Sequence, residues 1–494
     1  MNTVVVAFLI SLAVALLLTP LVRDAAIRFG ALDHALTSRK THGRPTPRLG
    51  GIAIVIAFYV PLVALFFFDT GVGRLLWSQP ERALALILGG LAMAALGIYD
   101  DLKGSGARIK FTVQVVVAAL MWWANYRADV IATPFGTLEL GVLGFPVTVL
   151  WIVGITNALN LIDGLDGLAT GIAVAAAGAI LWVAFANHRP LMTLFMVCLA
   201  GALLGFLRYN FHPASIFMGD SGSLFVGFVL ASTALQTHEK STTAVALLVP
   251  IVALGIPIGD TLLAMTRRVV RGQPMFSSDR GHVHHRLMDR GLSHRATVLA
   301  LYGIAVVLGG VAVALFHSDA GQALAYAGAV VAIAVMLLVA AGYVRFDQGR
   351  QLLFDRKQNL GMRAAVRKAG DRLRQADHVE EVWEAVRESA GELSASCVAL
   401  VVVARNGTVR RSEFSEGFDE APSSLLRARF SLLGERPDDG CIELGFDDGR
   451  RTVDRDTEIA VELLCEHVQA AIERIAARSE AEAKGGRGLL RFRG

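Results

Sequence analysis

The stretch NALNLIDGLDGLA, residues 157–169, ends one apolar run and begins the next. The run before it covers residues 144–162 and the run after it covers residues 167–186, and each is close to the ~20 residues that a helix needs to cross a bilayer. Two carboxylates, Asp163 and Asp166, separate the runs together with two glycines. Carboxylates are costly at a membrane unless they pair, bind cations or line a wet cavity. The stretch therefore predicts a turn between two membrane helices that carries functional charged groups.

The composition is that of a membrane protein. Hydrophobic residues make up 54% of the 494 residues and charged residues 18%, with a mean hydropathy of +0.52, which excludes an ordinary soluble domain and a disordered chain. The charged residues are unevenly distributed, with 38 in residues 1–344 and 52 in residues 345–494. The net charge of +4 is small and its basic residues lie mostly in short loops, so no nucleic-acid partner is expected.

Eleven apolar runs predict a polytopic α-helical membrane protein with about 11 transmembrane helices. They lie near residues 2–22, 50–68, 83–98, 109–126, 144–162, 167–186, 191–208, 222–237, 243–265, 297–316 and 322–343. The loops between them fall into two sets, which hold seventeen and five Lys and Arg residues. Because basic loops stay in the cytoplasm, the richer set is predicted to be cytoplasmic, with the N-terminus outside and the C-terminal tail inside.

The polar C-terminal part has a different pattern. After a membrane domain over residues 1–344, we predict a linker over 345–361, a small cytoplasmic α/β domain over 362–480 and a basic tail over 481–494. Within the α/β domain the pattern predicts a helix near 362–393, a strand from Ser396, further strands near Arg427 and Cys441, and a helix over about 454–477.

Three acidic segments fall at the predicted cytoplasmic side. They are GIYDDLKG (97–104) with Asp100 and Asp101, the stretch quoted above, and FMGDSGSLF (217–225) with Asp220. Several carboxylates on one side of the membrane favour a functional site over a purely structural role more strongly than a single carboxylate does. The amide and carboxylate oxygens of these segments suit Mg²⁺, which prefers hard oxygen ligands and is usually held by one or two protein groups plus substrate phosphates.

The longest basic loop holds a cluster of histidines and arginines, SSDRGHVHHRLMDRGLSHR, over residues 277–295. Its donors and cations suit a diphosphate. Two alternatives stay open, a transition-metal site and a loop that attracts anionic lipid headgroups. Asp260, within the ninth apolar run, fits equally a site residue and a satisfied packing group.

Five motifs in a fixed order, each separated from the next by membrane runs, resemble those of the polyprenyl-phosphate N-acetylhexosamine-1-phosphate transferases (WecA/TagO/MraY-like, glycosyltransferase family 4). They are KTHGRPTPRLGG (40–51), GIYDDLKG (97–104), NALNLIDGLDGLA (157–169), FMGDSGSLFVGF (217–228) and HVHHRL (282–287). The resemblance covers roughly residues 1–344. It implies transfer of a sugar 1-phosphate from a UDP-sugar to undecaprenyl or another polyprenyl phosphate, releasing UMP, with Mg²⁺ or alternatively Mn²⁺, at the cytoplasmic face of the bacterial inner membrane.

The resemblance also implies roles for individual residues. The expected catalytic residues are Asp100, Asp101, Asp163 and Asp166. The expected metal ligands are Asn160 and Asp220. The expected substrate-binding residues are Lys103, Asn157, His282, His284, His285 and Arg286. For Asp100 we favour positioning of the lipid phosphate, with a general base as the alternative.

HVHHRL is more similar to the WecA and TagO branch than to the muramoyl-pentapeptide branch, so UDP-N-acetylglucosamine is the expected donor. Other UDP-N-acetylhexosamines, including deoxy or amino variants, fit the same motifs, and a related transferase that uses UDP-N-acetylmuramoyl-pentapeptide is an alternative. The tail resembles a GAF domain, a small sensor or dimerisation module, and a docking domain without a ligand is an equal alternative. A homodimer is one arrangement left open. The competing functions are a polytopic transporter and a membrane-anchored sensor.

Overall fold

The computed structural model describes most of the chain. The described residues are 2–33, 46–67, 74, 79–133, 136–236, 248–270, 281–318, 320–343, 349–403, 411–418, 425–432, 440–448, 450, 452–453 and 455–489. Several residues of the sequence motifs, among them Lys40, His42, Arg44 and Arg280, lie outside this set. Contacts divide the chain into two compact units, residues 1–266 with 276–345, and residues 267–275 with 346–494.

The first unit is a bundle of helices. In chain order the helices are α1 (Asn2–Arg28), α2 (Gly51–Phe67), α3 (Pro80–Lys103), α4 (Ala107–Trp123), α5 (Gly144–Ile162), α6 (Leu168–Ala186), α7 (Pro190–Asn210), α8 (Gly219–Gln236), α9 (Leu248–Ala253), α10 (Gly255–Val270), α11 (Val283–Asp289), α12 (His294–Phe316) and α13 (Ala320–Ala340). Two short antiparallel hairpins accompany them, β1 (Leu32–Asp33) with β2 (Thr46–Pro47), and β3 (Val130–Thr133) with β4 (Gly136–Glu139).

Ten of the eleven apolar runs each overlap one helix, and the structure confirms a polytopic helical protein. Seven helices in the described part are long and apolar enough to cross a membrane, namely those at Thr3–Arg28, Pro80–Lys103, Gly141–Ile162, Leu168–Ala186, Pro190–Asn210, His294–Phe316 and Gly321–Ala340. The ninth run is divided between α9 and α10. The number of eleven spans stays a prediction.

Helices α7 and α8 lie at the centre of the bundle. Every described residue of α8 from Ser221 to Gln236 is buried, because this helix is apolar or small around its whole circumference. Helix α8 packs against α3 and α5, and α7 packs against α1 and α6. By contrast, no residue in the apolar stretch of α13 is buried.

A close approach of α3 and α8 positions the acidic residues at their ends. A Cβ atom on Gly97 would lie 2.3 Å from the Asp220 carbonyl oxygen, so any larger residue would push the two helices apart. The end of the first loop is fixed beside the same point, since Phe217 donates to the Pro47 carbonyl and Gly50 donates to the Phe217 carbonyl. The GIYDDLKG and FMGD segments are therefore held side by side.

The second unit contains a four-stranded antiparallel sheet in the order β6–β5–β8–β7, with β5 (Cys397–Val403), β6 (Arg411–Glu416), β7 (Leu426–Ser431) and β8 (Cys441–Phe446). Helices α14 (Gly349–Gln375), α15 (Val379–Glu392) and α16 (Arg455–Leu489) share its apolar core. The small α/β domain is thus present. The likeness to a GAF domain and the domain boundaries stay predictions.

Two details of this unit differ from the sequence expectation. The single helix predicted near 362–393 is two helices, and the first begins at Gly349, within the predicted linker. Helix α16 continues to Leu489, into the predicted basic tail. Both segments are strongly charged, so the pattern of apolar residues alone gives only a weak helix signal there.

Candidate active site

Four helix ends meet at one end of the bundle and bring four polar side chains together. Asp100 lies in the last turn of α3 and Lys110 in the first turn of α4. Asn160 lies in the last turn of α5, and Asp220 is the second residue of α8. Because these helices alternate in direction along the chain, the ends that the sequence places on one side of the membrane do lie together.

Lys110 joins two of the carboxylates. Its Nζ atom lies 2.7 Å from Asp100 Oδ2 and 2.5 Å from Asp220 Oδ2. The other oxygen of Asp100 accepts from the backbone N–H of Ser105 at 2.7 Å and from its hydroxyl at 2.5 Å. All three charged side chains keep between 16% and 25% of their surface exposed. The cluster is thus accessible to a polar ligand, and its carboxylates are held by fixed donors.

Asp101 has a different position from its neighbour. Its two oxygens accept from the backbone N–H groups of Asp220 and Ser221 at 2.9 and 3.0 Å. These N–H groups lie in the first turn of α8, where backbone donors have no partner within the helix. Asp101 therefore caps α8 from another helix and fixes the backbone that carries the Asp220 side chain.

A glycine with a left-handed backbone conformation completes this cap. Gly219 has φ +70°, and a Cβ atom there would lie 2.1 Å from the Arg48 carbonyl oxygen and 2.6 Å from Asp101 Oδ2. Only glycine adopts this backbone at low cost and leaves room for the capping carboxylate.

The two asparagines of the quoted stretch have different partners. Asn160 Nδ2 donates to Asp220 Oδ1 at 3.0 Å and to Ser223 Oγ at 2.8 Å. Asn157 is paired with Gln114 of α4, with its Nδ2 atom 2.6 Å from Gln114 Oε1. Asn160 thus belongs to the carboxylate cluster, whereas Asn157 ties α5 to α4 behind it.

Asp163 lies in the turn after α5 and is half-buried. Burial, followed by the negative charges of Asp220, Asp101 and Asp166, raises its pKa to about 8. Asp163 thus favours its protonated form at neutral pH, in a site whose carboxyl groups outnumber Lys110.

The histidine motif forms a short helix, α11, next to this turn. Asp260 of α10 accepts from the backbone N–H of Val283 and contacts His282 Nδ1, both at 2.8 Å. A Cβ atom on Gly164 would lie 3.0 Å from His284 Nε2, so His284 packs directly on the Asp163–Gly164 turn. The structure thereby gives Asp260 a defined role, which is to hold the beginning of the histidine helix.

The remaining histidine-motif residues are arranged around His284. Burial, and then the positive charge of His285, lower the pKa of His284 to about 3, so its imidazole is neutral. The ring of His285 is 4.3 Å from that of His284. The Arg286 guanidinium lies 4.0 Å from the centre of the Tyr343 ring and donates to the Gly342 carbonyl at 3.2 Å.

Asp166 is buried apart from the lysine-centred cluster. Its Oδ2 atom accepts from the backbone N–H of Ala214 at 3.0 Å and lies 2.8 Å from His212 Nδ1. It therefore ties the turn before α6 to the segment between α7 and α8.

Comparison with known proteins identifies the family of the bundle. The glycosyl transferase family 4 model matches residues 83–238. A Bacillus subtilis protein named probable undecaprenyl-phosphate N-acetylglucosaminyl 1-phosphate transferase is 41% identical over 309 residues, which is 62% of this chain and 83% of the relative. The chain belongs to glycosyl transferase family 4.

Other family 4 members match a similar part of the chain. The decaprenyl-phosphate N-acetylglucosaminephosphotransferase of Mycolicibacterium smegmatis is 35% identical over 354 residues, covering 67% of this chain and 86% of the relative. The phospho-N-acetylmuramoyl-pentapeptide-transferase of Aquifex aeolicus is 32% identical over 302 residues, covering 55% of this chain and 79% of the relative. The family resemblance of the five motifs is thus confirmed, and the matched family 4 segment contains Asp100, Asp101 and Asp220.

Two site residues within the family 4 segment were missed by sequence reasoning. Lys110 appears in the sequence only as one of the basic loop residues, whereas Lys103 appears within a motif. In the structure Lys103 is exposed, with its Nζ atom 6.0 Å from the centre of the Tyr99 ring. Gln114, the partner of Asn157, lies in an apolar run. In the sequence, Gln114 stands out only because a polar side chain within a membrane-spanning run is energetically costly.

Proposed function

We propose that the chain transfers N-acetylglucosamine 1-phosphate from UDP-N-acetylglucosamine to a polyprenyl phosphate and releases UMP. The 41% identity to the Bacillus subtilis relative over 83% of its length supports this proposal most strongly. The carboxylate cluster around Lys110 adds independent support, because transfer between two phosphorylated substrates requires charge neutralisation and alignment rather than covalent chemistry by the protein.

We also propose Mg²⁺ as the cofactor, with Mn²⁺ as an alternative. Asp220 and Asn160 are adjacent and would hold the ion, because their side chains offer the hard oxygen donors that Mg²⁺ prefers. The excess of carboxylates over lysine fits a divalent cation. When bound, Mg²⁺ would neutralise negative charge on the diphosphate of the donor.

The residues of the chain would position the acceptor phosphate. A phosphate monoester is already largely ionised at pH 7, since its second pKa is about 6, so deprotonation by Asp100 is not required. Asp100 instead holds Lys110 beside Asp220, and the ammonium group would move from the carboxylates toward the transferred phosphoryl group. Arg286 and His285 are the candidates for contact with the donor diphosphate, with Arg286 held on Tyr343.

The proposed side of the membrane is cytoplasmic. The loops that the sequence pattern assigns to the side of Asp100 and Asp220 hold seventeen Lys and Arg residues, against five in the other loops, and basic loops stay in the cytoplasm. Cysteine labelling of spheroplasts distinguishes the two orientations. A reporter cysteine at Ser105 should react only after the membrane is permeabilised, and reaction in intact spheroplasts would reverse the assignment.

The C-terminal unit is proposed to regulate or dock the membrane domain rather than to catalyse. A chain that ends after Arg345, before α14 begins, should keep its activity in membranes. Complete loss of activity in an inserted truncation would instead make the tail part of the working enzyme. A homodimer remains part of this proposal.

The direct test is UMP release by purified protein in detergent with polyprenyl phosphate, Mg²⁺ and UDP-N-acetylglucosamine. Release should require the lipid and stop with EDTA. Asp220→Asn should abolish it, whereas Asp24→Asn, which removes an exposed carboxylate paired with Arg23 on α1, should leave it unchanged. UMP release that is unaffected by Asp220→Asn would refute the proposed site. No release from folded protein with any UDP-N-acetylhexosamine would refute the function.

A further inference from the structure

Three possible metal ligands meet where three parts of the bundle come together. Asp166 lies in the turn between α5 and α6, His212 between α7 and α8, and His294 is the first residue of α12. One donor atom of each side chain lies within 4.8 Å of the donor atoms of the other two. His212 and His294 have no part in the function proposed above.

The contacts within this group are tight and partly buried. The His212 and His294 rings stack with their centres 4.1 Å apart, and His212 Nδ1 lies 2.8 Å from Asp166 Oδ2. Asp166 is only 4% exposed. Two imidazole rings and one carboxylate thus lie together, and these are side chains that bind transition-metal ions.

We propose that Asp166, His212 and His294 form a binding site for a divalent transition-metal ion, with Zn²⁺ as the ion that these donors suit best. Two imidazole nitrogens and one carboxylate oxygen are a ligand set that Zn²⁺ accepts, with water in the fourth position. Imidazole donors disfavour Mg²⁺, which requires oxygen ligands. This site is therefore chemically distinct from the all-oxygen set at Asn160 and Asp220.

Binding would bring onto one ion three donor atoms that already lie within 4.8 Å of one another. The proton shared by His212 Nδ1 and Asp166 Oδ2 leaves to solvent, and the metal ion takes its place. The neighbouring backbone is already fixed, because Tyr302 of α12 donates to the Gly167 carbonyl at 2.5 Å. Thr170 donates to Asn210 Oδ1 at 2.6 Å. The ion would thus clamp the turn that carries Asp163 to the ends of α7 and α12.

The experiment uses the full chain with an affinity tag that contains no histidine. After chelator treatment the protein is equilibrated with ZnCl₂ at buffered free concentrations, and bound zinc is measured by mass spectrometry. Wild type should hold one Zn²⁺ at this site, and Co²⁺ in its place should give the visible absorption of a nitrogen-ligated ion. His212→Gln and His294→Gln should each weaken binding at least about tenfold, the lower end of the loss seen for a second-shell partner.

Matched controls separate this site from other histidines. His317→Gln changes the residue just after the opposite end of α12, and His284→Gln changes the histidine helix, so both should bind zinc as wild type does. Zinc should also raise the melting temperature of wild type and both controls but not of His294→Gln, because the ion binds only the folded site. Asp166→Asn, which keeps the side-chain shape, should weaken binding like the histidine variants.

Three results would overturn the proposal. One is absence of bound zinc from wild type at micromolar free metal. Another is wild-type binding by both His212→Gln and His294→Gln, and the last is loss of zinc in His284→Gln alone. In each case the three side chains form a hydrogen-bonded and stacked group without a metal ion.

Discussion

Lys110 and Asp220, which are 110 residues apart in the chain, form an ion pair of 2.5 Å at the meeting point of α4 and α8. The same ammonium group contacts Asp100 at 2.7 Å. One lysine therefore connects the GIYDDLKG and FMGD segments, and its removal should affect the chemistry more than the fold.

Lys110→Gln is expected to lower kcat on the order of 100-fold, a loss typical for one preorganised electrostatic contact. Apparent Mg²⁺ affinity should be equal or higher, because Asp100 and Asp220 lose a competing cation. The control is Lys103→Gln, which changes an exposed lysine seven residues earlier and should have a much smaller effect. Steady-state kinetics with Mg²⁺ titration measure both. A larger loss for Lys103→Gln would assign the phosphate contact to Lys103.

Asp100 and Asp101 are adjacent in sequence but should behave differently when each is changed to Asn. Asp100→Asn should lower kcat on the order of 100-fold with little change in KM for the UDP-sugar, since Asp100 contacts Lys110 and Ser105. Asp101→Asn removes one of two acceptors at the beginning of α8 and should lower stability by about 1 kcal/mol. Asp101→Asn should lower activity less than Asp100→Asn does, because it acts only by displacing Asp220. Equal loss of kcat and UDP-sugar affinity in Asp100→Asn would contradict the positioning role.

Gly219→Ala tests the packing of the cap. Gly219 and Gly30 both have φ +70°, but a Cβ atom on Gly30 meets nothing within 4 Å. Gly30→Ala should therefore cost only the backbone strain of about 1–2 kcal/mol. Gly219→Ala adds a clash with two backbone-fixed groups and should cost about 3 kcal/mol or more. Melting temperatures of the two variants in detergent give the comparison, and equal decreases would contradict the described cap.

The described part of the site was only partly predictable from the sequence. The eleven apolar runs and the polar residues between them indicate which helix ends share a side, because periodicity and charge asymmetry are local signals. They do not indicate that Asp101 caps α8 or that Asn157 pairs with Gln114, since such contacts depend on how helices pack. Lys110 is missed for the same reason: a basic residue at a span end is ordinary, and only Asp100 and Asp220 give it a role.

The neutral state of His284 predicts a pH effect on stability. Burial and the nearby His285 lower its folded-state pKa to about 3, against about 6.5 in an unfolded chain. As pH falls below about 6.5, the unfolded state binds a proton that the folded state does not bind, so stability decreases, by about 2 kcal/mol at pH 5. His284→Gln should remove this contribution.

The measurement is the decrease in melting temperature between pH 7.5 and pH 5.0. It should be smaller for His284→Gln than for wild type, whereas His188→Gln, at an exposed position, should match wild type. An unchanged decrease in His284→Gln would show that His284 is accessible to protons in the folded protein.

A sugar 1-phosphate, and not the sugar alone, is expected to move to the lipid at the Asp220 site. UDP-N-acetylglucosamine labelled with ³²P in its β-phosphate tests it directly, with purified protein, polyprenyl phosphate and Mg²⁺. The label should enter the organic phase in a polyprenyl diphosphate-linked product with wild type and not with Asp220→Asn. Label that stays in aqueous UDP while sugar enters the lipid would exclude transfer of the sugar 1-phosphate. Label that enters the lipid equally with Asp220→Asn would exclude Asp220 from the site.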